Sequence, residues 1–106
     1  MVMKQTTEDV ITVERCIRAF ENSGALIITF ECFESVYAAP KGLISLPKDG
    51  EKKLGAHCVA VYDYSQEERC FYFKNSWGDK WGDKGYGALP FDYIERGFVT
   101  KVTTLL

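Results

Sequence analysis

The stretch Ala56-His57-Cys58-Val59-Ala60-Val61-Tyr62-Asp63-Tyr64, continued by Phe71-Tyr72-Phe73-Lys74-Asn75-Ser76-Trp77-Gly78-Asp79-Lys80-Trp81-Gly82-Asp83-Lys84-Gly85-Tyr86-Gly87, decides the reading of this chain. Its first part alternates apolar residues and is headed by His57, the sole histidine, so it reads as a strand. Asn75 ends the next such run, FYFKN, and the polar Ser65-Gln-Glu-Glu-Arg69 between the runs reads as a hairpin loop. Antiparallel pairing about that loop brings the start of the first strand beside the end of the second. His57 and Asn75 are thereby expected together at one edge of a sheet. An amide carbonyl there accepts an imidazole N–H and fixes the tautomer; the expected bond is from Nδ1–H, leaving Nε2 for proton transfer. Trp77 and Trp81 follow directly, large covers suited to keeping water off that bond. The same register sets Cys58 near Ser76 and Cys70 near Tyr64, so those two cysteines should not bridge.

Working outward, Thr6 or Thr7 with Glu8 and Asp9 reads as a helix start with acids in the first turn. Val10, Val13, Ile17 and Phe20 then share one face, with Cys16 beside them, and Asn22-Ser23-Gly24 ends the helix. Residues 25–30 (ALIITF) read as a strand buried on both faces. Residues 33–37 fit one helical turn, 43–46 a short apolar segment and 47–53 a polar loop. After the hairpin come a strand at 85–89, stopped by Pro90, a helical turn at 91–96, and a last alternating strand at 98–103. The expected architecture is α+β: one domain spanning 1–106, with a small, mostly antiparallel sheet or partial barrel and an N-terminal helix packed on it.

Composition narrows the function classes. The chain has 106 residues, 46% hydrophobic and 14% aromatic, enough for a core of its own. A net charge of -2 and no basic run argue against nucleic-acid binding. No apolar run approaches the ~18 residues that span a bilayer, and the first residues lack the pattern of a signal peptide; a cytoplasmic location is the default expectation. The four cysteines, Cys16, Cys32, Cys58 and Cys70, suit buried free thiols at least as well as disulfides, with a Cys16–Cys32 bridge geometrically open. A single histidine and no C-x-x-C spacing leave no zinc site, and no cofactor is expected.

These residues carry a resemblance. Gly55-Ala56-His57-Cys58-Val59, then Lys74-Asn75-Ser76-Trp77-Gly78, Trp81-Gly82 and Gly85-Tyr86, resemble the G-H-x-V and K-N-S-W-G-x-x-W-G-x-x-G-Y patterns of papain-like cysteine peptidases. Ala56 stands where that family commonly has Gly, and Asp63-Tyr64 where Gly-Tyr is usual. The likeness runs from about residue 10 to 94, with the motif core in 55–95, and implies the β-rich, C-terminal lobe of the two-lobed fold. It implies His57 as general base, Asn75 as its orienter, Trp77 as cover of their bond and Trp81 on the leaving-group side of the cleft. The family's nucleophile precedes the His by roughly 130–150 residues, whereas 56 residues precede His57 here. Cys58, on the strand beside His57, points to the opposite face, Cys16 sits on an apolar helix face, and Ser76 points away from Asn75. The chain by itself is therefore expected to be inactive.

Three readings stay open at this stage. The lobe supplies base and orienter to a Cys-bearing companion, or it is a non-catalytic module that binds a peptide or protein, or it is a truncated, inert product. A lobe without its companion is also expected to expose an apolar patch, with Phe33, Val36, Tyr37, Trp77 and Trp81 as candidates, and so to self-associate or take a companion chain.

Overall fold

The computed structural model describes residues 3–6 and 11–105. Its centre is an open six-stranded antiparallel sheet. The strands are β1 (Met3–Thr6), β2 (Leu26–Phe33), β3 (Lys53–Ser65), β4 (Cys70–Lys74), β5 (Tyr86–Pro90) and β6 (Val99–Leu105). They lie in the order β1-β6-β2-β3-β4-β5, so the outermost strands do not pair and the sheet is not closed. Helix α1 (Val13–Ser23) packs on the sheet, with the single turns α2 (Glu34–Tyr37) and α3 (Phe91–Glu95) near its ends.

Helix α1 starts later than expected. Thr12, in extended conformation, accepts a 3.1 Å bond from the Arg15 amide through its hydroxyl, and Glu14 places an acid in the first turn. Thr6 belongs to β1, and the rest of the expected start, Thr7 to Asp9 with Val10, lies outside the described residues. Thr12 offers the same cap chemistry, and residues 3–6 instead pair with the edge of β6 from Met3↔Leu105 to Thr6↔Val102. No local pattern announces β1, because its partner is the far end of the chain. At the other end Gly24 takes φ 73° and its N–H closes on the Phe20 carbonyl at 2.7 Å, a left-handed cap that favours glycine. Cys16 and Ile17 are buried beneath the helix.

Strand β2 continues three residues beyond the expected end and alternates rather than burying both faces. Leu26, Ile28, Phe30 and Cys32 are buried, while Ile27, Thr29 and Glu31 are half-buried, since only one face of the sheet carries the core. Phe30, Phe71, Phe73, Leu89 and Tyr93 fill that core and are wholly enclosed. Burying a side chain of this size contributes roughly 1.5–3 kcal/mol. In the hairpin, the rungs Ala60↔Lys74 and Val61↔Phe73 follow the expected register. An irregularity between Val61 and Asp63 then shifts the pairing, so that Cys70 faces Ser65 and not Tyr64. Past the loop, the Phe91 amide donates to the Arg69 carbonyl at 2.8 Å, and the Arg69 guanidinium meets Asp92 and Glu95. These half-exposed ion pairs locate α3 more than they stabilise it.

Tyr93 breaks the usual rule for a core. Its ring is fully enclosed, edge-on to Phe30, yet its hydroxyl has no partner among the described residues. Burial pushes its phenol up to about 12, from an ordinary 10.0. Tyr93→Phe removes the orphan hydroxyl and should leave stability at neutral pH unchanged or raise it by about 1 kcal/mol. Because the folded pKa lies above the unfolded one, the Tyr93 contribution is full below pH 10 and is lost as pH rises toward 12. Urea denaturation at pH 7 and pH 11 checks both points: the variant should lose less stability than the wild type between the two.

Candidate active site

The length of β3 sets the geometry of the site. Its first half pairs with β2, including Phe30↔His57, but its rungs to β4 run only from Ala60 to Ser65. His57 thus sits where β3 has left β4, and Asn75 is the first residue after β4 ends. The Asn75 amide donates to the Gly85 carbonyl at 2.7 Å, which pins the loop start against the approach to β5. His57 and Asn75 meet across this gap: the Nε2–H of His57 donates to Asn75 Oδ1 at 2.9 Å.

The bond is the expected one, through the other nitrogen. Nε2, the ring nitrogen farther from the backbone, is the one that reaches the loop carrying Asn75. Nδ1 is left with no hydrogen-bond partner among the described residues, so Nδ1 and not Nε2 is available to exchange a proton. A carbonyl oxygen at Nε2 fixes the tautomer that holds the proton there and keeps a lone pair on Nδ1.

Aromatic rings fix the imidazole from two directions. Trp77 stacks on it at 4.5 Å and 28°, and Phe30 meets it edge-on at 5.9 Å. His57 itself is half-buried and accessible. Asn75 is only 4% exposed, and its Nδ2 has no partner among the described residues. Leaving a buried amide N–H unpaired costs about 1–3 kcal/mol. Stability does not explain that arrangement; aiming Oδ1 at the imidazole does.

Trp81 packs into the interior beside the site. It is 7% exposed, its indole N–H donates to the Val36 carbonyl at 2.9 Å, and it tilts against Phe73. Gly87 provides the flat seat for this ring, since a Cβ there would stand 2.7 Å from the indole. Trp81 is a wedge between the motif loop and α2. The expected apolar patch shrinks with it: Phe33, Val36 and Trp81 are buried. Tyr37, 53% exposed, and half-buried Trp77 remain at the surface.

No hydrogen bond joins any of the four thiols to His57 among the described residues. All are free, and the open Cys16–Cys32 pairing is not made. Cys58 departs from the expected burial: it is exposed on the far face of β3, where alternation turns it away from the core, its Sγ 3.1 Å from Thr29 Oγ1. Cys16, Cys32 and Cys70 are buried, and burial drives their pKa upward, to about 11 for Cys16. No group of three or more metal-ligating side chains exists among the described residues, and no helix among them is long and apolar enough to cross a membrane. Brief alkylation of the native protein with iodoacetamide at pH 8 should give a single adduct, at Cys58. Modification of Cys16 at a comparable rate would contradict its burial.

Comparison with known proteins agrees with this arrangement. The family model for papain family cysteine proteases matches residues 2–101. An uncharacterised peptidase C1-like protein of Acanthamoeba polyphaga mimivirus is 36% identical over 67 residues, covering 63% of this chain and 22% of that protein. The crystal structure of xylellain, a cysteine protease from Xylella fastidiosa, superposes with a TM-score of 0.65 at 26% identity, over 83% of this chain and 35% of that one. The chain thus spans between a fifth and about a third of the relatives it matches. With the match reaching nearly end to end and the His57–Asn75 pair in place, the chain belongs to the papain family of cysteine proteases.

Proposed function

We propose that this chain supplies the general base, His57, and its orienter, Asn75, to papain-type peptide hydrolysis, with the thiol nucleophile coming from a segment outside these 106 residues. The observation that carries the reading is the Nε2–H to Oδ1 bond with Nδ1 left open. Nδ1 takes the proton of the incoming thiol, giving a thiolate and an imidazolium. The thiolate attacks the scissile carbonyl, the C–N bond breaks, and the imidazolium returns its proton to the departing amine. Nδ1 then deprotonates a water that releases the acyl group and restores the thiol. Asn75 holds the ring in one orientation and accepts the Nε2–H bond throughout.

A binding module has no physical need for a buried amide with an unpaired Nδ2, so the geometry favours the catalytic reading over the simple docking one. The companion segment seats, on this proposal, against the face that carries His57, Trp77 and Tyr37. A fluorogenic peptide assay tests it. The chain alone should show no turnover; mixed with or fused to a Cys-bearing papain-type lobe it should gain activity that a thiol-directed epoxide blocks. His57→Ala should then lower the rate roughly 10²–10⁴-fold. Turnover by the chain alone would overturn the external nucleophile, and restored activity indifferent to His57→Ala would overturn the role of the base.

A further inference from the structure

Trp77 stacks on His57, the donor of the His57–Asn75 bond, yet little in its own backbone holds it there. Ser76, Gly78, Asp79 and Lys80 around it are all exposed, and the loop is closed by an Asn75 to Gly85 bond before it and a 3.4 Å Trp81 to Gly78 bond after it. The indole orientation is therefore decided by the rings it touches. One is His57, the group whose position is to be fixed. The second is Trp81, edge-on at 5.7 Å. The third is Tyr37, stacked at 4.7 Å and 5° from parallel.

Tyr37 is half exposed, and an exposed tyrosine at a turn ordinarily carries no meaning. Here the turn beneath it is clamped from three sides. The Glu51 carboxylate accepts from the Ser35 amide at 2.6 Å, the Glu34 amide donates to the Lys52 carbonyl at 3.3 Å, and the Val36 carbonyl accepts from the Trp81 indole. The Tyr37 side chain also acts on the Cys32 thiol, lowering its pKa against the larger upward effect of burial. A surface ring is thus carried on a fixed turn and laid parallel on the indole that covers the base. The residue next to Tyr37, Val36, bonds the other tryptophan of the motif, so one short turn holds both.

We infer that Tyr37 is a positioning residue: its ring clamps Trp77 over the His57–Asn75 hydrogen bond and so keeps water from the Nε2 proton. The inference rests on the reading of His57 and Asn75 as the base pair, but it concerns geometry and can be measured without turnover. Losing one aromatic pair changes the covered population by roughly three- to tenfold.

His57 is the sole histidine, so its Hε2–Nε2 resonance in the ¹⁵N-labelled chain needs no separate assignment. At a fixed neutral pH the wild type should show that proton in slow exchange with water. Tyr37→Phe, which keeps the ring, should stay within twofold of wild type. Tyr37→Ala and Tyr37→Leu should exchange roughly three- to tenfold faster, with core methyl resonances such as those of Ile28 and Val59 unmoved. Should the alanine variant fail to fold, the leucine variant decides. A protected wild-type proton with Tyr37→Leu also within twofold overturns the Tyr37 clamp alone. An unprotected wild-type proton overturns the clamp together with the shielded His57–Asn75 pair beneath it.

Discussion

The site depends on an unequal sharing of one strand. β3 is 13 residues long, hydrogen-bonded to β2 through its first half and to β4 only from Ala60 onward. Before that point it has an edge without a rung, and His57 stands on it. Had β4 run two residues further, Asn75 would be a rung of the ladder and its side chain would follow the sheet's alternation. By ending at Lys74, β4 releases Asn75 into a loop whose amide is caught by Gly85, and the carboxamide turns toward the imidazole. Strand pairing stops where the candidate site begins.

Around that gap the chain accepts local costs. Asn75 is buried with Nδ2 unpaired, and Trp77 lies half in solvent on a loop of exposed residues. Each contradicts what stability alone favours, and together they surround one 2.9 Å bond. The contacts that offset them are aromatic and close by: Trp81 wedged under Val36 on the seat left by Gly87, and Tyr37 laid on Trp77. Departures from good packing concentrated at one place, with supports beside them, are what a candidate functional site is expected to show.

The thiols show how placement overrides residue type. Four cysteines in a member of a cysteine-protease family invite the search for a nucleophile among them. Three are buried with raised pKa, and the fourth projects from the far face of the strand that carries His57. Alternation along β3 alone decides the last case, because neighbours on a strand cannot share a face.

The sequence by itself determined the antiparallel hairpin, the meeting of His57 with Asn75 and the tryptophan over them. Those follow from period-two alternation, one polar loop and a motif compact enough to carry its own geometry. The C-terminus of α1 was legible for the same reason, since Gly24 answers a local demand for positive φ. Only the tertiary structure decided the rest. The strand β1 exists because β6 offers it an edge, a pairing between the two ends of the chain that leaves no local trace. The start of α1 fell to Thr12 among several equivalent caps. The bonding nitrogen of His57 was decided by where the folded loop places Asn75 Oδ1, which no residue pattern encodes. Trp81 went to the core and Tyr37 to the site because α2 folds back across the motif loop, a contact between residues 45 positions apart that only packing could fix.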